Sequence, residues 1–83
     1  MKANARVYLD NDNYVTEIET LRQIQEILGG YVEKTPHPTM PNILLLVDED
    51  ARLKGNTTPN KHFNHLVGTI VQIDAKDFKR LPY

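Results

Sequence analysis

Asp48 and Asp50 stand two residues apart, the spacing of the first two ligands of an EF-hand calcium loop. Continued in that register, the loop would carry Arg52 at its fifth position, Leu53 where glycine makes the bend and Pro59 where a bidentate glutamate closes the site. Calcium is therefore a poor reading. The carboxylates of "VDED" serve better as charged punctuation that ends a hydrophobic strand. His62 and His65 lie three apart and His37 sits in a proline-rich segment, but a closed zinc site needs three or four ligands, and none stands at a diagnostic spacing. No metal and no cofactor are expected.

Nucleophilic chemistry is more sharply limited. The chain contains neither serine nor cysteine, which removes Ser-His-Asp and Cys-His arrangements and disulfides together. Gly29 and Gly30 follow a helix rather than joining a strand to one, so they do not form a phosphate loop. No pair among the eleven Asp and Glu residues is singled out by spacing for acid–base work. The chain is not expected to be an enzyme, and no catalytic residue is assigned.

Binding is the chemistry left. In "RLKGNTTPNKH", Arg52, Lys54 and Lys61 offer cations and Asn56, Thr57, Thr58 and Asn60 offer hydrogen-bonding groups, around a glycine that lets a ligand approach the backbone. Tyr31 is one of four tyrosines able to stack on a base. The mixture suits a small phosphorylated or nucleotide ligand. The same residues also read as a solvated loop with tyrosines at the edge of the core.

These groups must be placed by the elements around them. "RVYLD" alternates as a half-buried strand with Val7 and Leu9 inward, "NDNY" reads as a turn, and "YVTEIE" returns with Val15 and Ile18 inward. In "TLRQIQEILGG" the period changes, with Leu21, Ile24, Ile27 and Leu28 on one face. Thr20 and Gln23 have the spacing of a capping box, and Gly29 stands where a left-handed C-terminal cap is needed. "YVEK" is a short strand, and prolines 36, 38 and 41 then impose a loop. Ile43 to Val47 is the most apolar run and reads as the buried central strand. "NKHFNHLVG" suggests a helical turn capped by Asn60, "TIVQID" a last strand, and Asp74 the cap of a short terminal helix.

The expected fold is α+β: a small mixed β-sheet with one main helix across one face, in the β-grasp-like order ββαββ(α)β, with another α+β arrangement open. At 83 residues the chain is expected to form a single domain, 1–83, that acts as a homo-oligomer, since its small core would gain from self-association. Ten Lys and Arg against eleven Asp and Glu leave a net charge of -1, which supplies no field for nucleic acid or an anionic membrane. The polar start lacks the apolar stretch of a secretory leader, and no run approaches the ~18 residues of a membrane span. A cytoplasmic protein is expected.

"LRQIQEILGGYVEK", "LLLVDEDARLKG", "PN" and "LVGTIVQI" together resemble a family of small phage- and mobile-element-encoded proteins classed as a domain of unknown function. The resemblance runs from about Tyr14 to Ile73. It touches Gly29, Gly30, Tyr31, Val32, Glu33, Val47, Asp48, Glu49, Leu53, Gly55, Asn60 and Gly68, and departs at Asp50 and Ala51, where members often carry glycine. No activity transfers with it. It implies a phage accessory protein in the cytoplasm of a host bacterium, countering host defence by sequestering a nucleotide-type immune signal. Direct inhibition of a host defence protein and nucleic-acid binding are the alternatives.

Overall fold

The computed structural model describes residues 2–55 and 57–83. In chain order the elements are β1 (Ala3–Tyr8), β2 (Asn13–Ile18), α1 (Leu21–Leu28), β3 (Val32–Pro36), β4 (Ile43–Asp48), β5 (Ile70–Asp74) and α2 (Ala75–Arg80). The five strands form one sheet in the order β2-β1-β5-β4-β3. The α+β class and the main helix laid over one face are as expected. The sheet, expected to be mixed, is antiparallel in all four pairings. Short loops force each of the hairpins β1–β2 and β3–β4 to be antiparallel. β5 then enters between β1 and β4, which run in the same direction, and opposes both.

Residue identity explains the two faces. Ala3, Ala5, Val7 and Ile18 from the first hairpin join Leu46, Val71 and Ile73 beneath Ile24 and Leu28 of α1, with Phe78 and Leu81 at the margin. Small alanines on β1 make poor strand signals, so the strand begins three residues before the expected "RVYLD". β2 is likewise shifted in phase. Val15, expected inward, is 56% exposed on the opposite face, because Ile18 against Ala3 fixes the register and a period of two leaves Val15 outside.

α1 is capped as its sequence indicates. Thr20 accepts from Gln23 N while Gln23 accepts from Thr20 N, and Gly29, at φ 84°, donates to Gln25 O at 2.8 Å. Two further N–H groups of its first turn are satisfied from far along the chain: Leu21 donates to Pro82 O and Arg22 to Tyr83 O.

The opposite face of the sheet is covered by the connection 49–69, which lays Phe63 and Leu66 against Leu45, Val47 and Ile70. The helical turn expected at Asn60 to Val67 does not form. Asn60 turns its side chain inward instead of capping, and a bridge between Pro59 and Val67 closes the segment as an irregular loop.

Leu46 is fully buried beneath α1. Leu46→Ala is expected to lower unfolding stability by about 3 kcal/mol in urea melts, the middle of the range for emptied core sites. Leu53→Ala, at a position 86% exposed, should change it by less than about 0.5 kcal/mol.

Candidate functional site

Asp48 ends β4, and its carboxylate organises everything that follows. Oδ1 accepts from Asp50 N at 2.9 Å, and Oδ2 pairs with Lys54 Nζ at 2.8 Å. Lys54 Nζ also donates to Gly29 O at 2.8 Å, so one ammonium joins the strand end to the C-terminus of α1. Gly30 sits against this pair: a Cβ there would stand 2.5 Å from Asp48 Oδ1 and 2.8 Å from Lys54 Nζ. Glycine at position 30 is therefore a matter of space. The hydrogen bond from Lys54 above all, then that from Asp50 N, holds the Asp48 carboxyl below its ordinary value of 3.8, against the opposing effect of burial.

Beside the clasp, Glu33, Val47, Glu49, Arg52, His65 and Leu66 line an open cleft of about 410 Å3. Val47 of β4 and Ala51, Leu66 and Val67 of the connection supply its apolar side chains, and its charges are mixed. Arg52 provides a fixed cation for a carboxylate or phosphate. Glu33 and Glu49 can accept from hydroxyl or amino groups. The sequence does not single out Glu33, Glu49 and His65 as ligand contacts beside Arg52, because only the pairing of β3 with β4 and the folding back of the connection bring them together.

The residues singled out from the sequence are dispersed. Arg52 lies in the cleft. Tyr31 is 68% exposed and adjoins it through its backbone, whose carbonyl accepts from Glu49 N at 2.9 Å. Lys54 belongs to the clasp. Asn60 is 2% exposed; its Nδ2 donates to Tyr8 O and Gly68 O, and its Oδ1 accepts from His62 N, so both amide hydrogens are already used. Lys61 donates to Asn11 Oδ1 on the β1–β2 turn and is not among the residues that line the Arg52 cleft. Thr57 is exposed, Thr58 borders a second cleft of about 320 Å3 with Asp10 and Thr69, and Asn56 lies outside the described residues.

All three histidines gather on the covered face. His37 and His65 meet Phe63 edge-on at 5.5 and 6.4 Å, and His62 lies 5.0 Å from Tyr8. His37 Nδ1 accepts from Thr39 N and Met40 N, which folds the loop 37–42. Among the described residues, no three His, Asp or Glu side chains come together as metal ligands. No described helix is long and apolar enough to cross a membrane.

The family model described as "Domain of unknown function (DUF3846)" matches residues 2–82. The chain belongs to this family. No curated protein and no solved structure matches it. The match spans both clefts and the clasp of this DUF3846 chain, and it assigns a role to none of them.

Two outcomes test the geometry. The stabilisation that comes from the lowered Asp48 pKa is fully present above 3.8 and is lost as pH falls through the lower folded value. Urea midpoints of the wild type should therefore fall more steeply than those of Asp48→Asn below about pH 4. Asn60→Ala leaves Tyr8 O, Gly68 O and His62 N without their partner and is expected to cost about 3 kcal/mol in the same melts. Asn60→Asp should not rescue it, because a carboxylate would face two carbonyl oxygens.

Proposed function

We propose that this DUF3846 chain is a non-catalytic binding protein that holds a small nucleotide-type ligand in the Arg52 cleft, as a phage accessory protein sequestering a host immune signal. The observation that carries the reading is the cleft itself: Arg52 lines it together with Glu33, Glu49 and the apolar side chains of Val47 and Leu66. A phosphate on Arg52, ribose hydroxyls donating to the glutamates and a base against exposed Tyr31 would use each group for what it does best. Lys54 and Asn60, read from sequence as ligand contacts, take the task of holding the loop that presents Arg52. The resemblance to phage- and mobile-element-encoded proteins supplies the biological setting, and the absence of serine and cysteine favours retention over turnover. Sequestration requires only slow release and enough copies of the chain, which self-association would favour.

Inhibition of a host defence protein by direct contact is the second reading. It is favoured by β2, an edge strand that presents Tyr14 and Val15 to solvent and has an unpaired side open to another strand.

Calorimetric titration with cyclic dinucleotides and ADP-ribose should give saturable binding, with the bound nucleotide recovered intact on denaturation. Arg52→Ala should weaken it about ten-fold or more, the worth of one charge-assisted hydrogen bond. If no nucleotide binds, and mass spectrometry finds no small molecule released from the purified protein, sequestration is wrong. A stoichiometric host protein in a pull-down would then favour inhibition.

A further inference from the structure

A second site lies on the other face of the sheet, where the edge strand β3 meets α2. Pro36, Leu44, Ala75 and Phe78 make the apolar walls of a groove of about 320 Å3, and Lys34 and Lys79 stand exposed at its margin. Among the described residues the only other one lining the groove is Thr35, and none that lines it carries a carboxylate. Lys34 Nζ lies 5.8 Å from the centroid of the Phe78 ring, within reach of the ring's negative face. Among the described residues the one ion pair is Lys54 with Asp48, so neither groove lysine is neutralised by an acid. A chain with a net charge of -1 thus concentrates two uncompensated cations beside half-buried hydrocarbon.

That combination selects one ligand chemistry. Apolar walls reward a body of aliphatic or aromatic carbon, and cations beside a low-dielectric surface attract an anion more strongly than cations in open water. The volume is near the lower end of the roughly 300–1,000 Å3 range of small-molecule sites, which suits a compact acid. The Arg52 cleft differs in kind, since glutamates line it. We infer that the β3–α2 groove binds a small monocarboxylate with an apolar body, its hydrocarbon against Leu44 and Phe78 and its carboxylate between Lys34 and Lys79. The site shares no lining residue with the Arg52 cleft, so the two assignments stand or fall separately.

Amide chemical-shift titration of the full chain with hexanoate, alongside hexanol as its neutral match, tests this assignment. Saturable shifts are expected in β3 and α2, with hexanoate binding at least about five-fold tighter than hexanol. Because Phe78 also borders the core, the decisive variant is the exposed pair Lys34→Gln and Lys79→Gln, which should keep a native spectrum and lose the preference for the acid. Equal affinity for acid and alcohol, a preference that survives in the double variant, or shifts that are absent from β3 and α2 would each overturn the assignment.

Discussion

The Asp48 carboxylate is the point at which three separately formed pieces of the molecule are joined. β4 delivers it, Asp50 N bends the chain onto it, and Lys54 carries its charge across to Gly29 O at the end of α1. Lys54 is half exposed, so the Coulombic part of this contact is screened and modest. Its importance is geometric. Asp48 itself is 11% exposed, and leaving its oxygens and the helix-end carbonyl without donors is costly compared with the gain from the bare charge pair. The same contact fixes where the connection 49–69 leaves the sheet, and with it the position of Arg52.

Above this joint the sheet is asymmetric. One face receives two helices and the larger share of apolar side chains; the other receives an irregular loop that buries Phe63 and Leu66. A loop has no internal ladder of hydrogen bonds, so its backbone needs partners supplied from elsewhere. Asn60 supplies them, linking the loop to the end of β1 and to Gly68, while Asn60 N donates to Leu66 O. The Arg52 cleft is thus built on a segment held by a side-chain amide and one ammonium, outside the helix-covered core.

Local signals in the sequence were readable where local physics decides the outcome. α1 needs only its apolar spacing, Thr20, Gln23 and Gly29, and all of them act as the sequence indicates. β4 is legible as an unbroken aliphatic run. Val15 was misplaced because alternation gives a strand's period but not its phase, which Ile18 sets through a partner fifteen residues away. The turn at Asn60 was misread for a related reason: an asparagine before an apolar pattern is an ordinary helix cap, and nothing nearby reveals that its amide is claimed by Tyr8 O, fifty-two residues earlier. The candidate site divides in the same way. Arg52 was identifiable from composition, whereas Lys54 was committed to a backbone oxygen twenty-five residues away, and Glu33 reached the cleft only through strand pairing.

The strand order also constrains how the chain reaches this state as it is synthesised. Among the described residues β5 follows the other strands in chain order and lies at the centre of the sheet, joining the β2–β1 hairpin on one side to the β4–β3 hairpin on the other. Until residues 70–74 emerge, a nascent chain has two separate hairpins, each marginal alone in water, with the inner edges of β1 and β4 bare. Those edges carry Val7 and Leu46, future core residues, beside unpaired backbone groups. The first turn of α1 likewise draws two hydrogen-bond acceptors from distant sequence, the carbonyls of residues 82 and 83. Until β5 pairs with both hairpins, those edges are templates for strand addition, including by other copies of the chain.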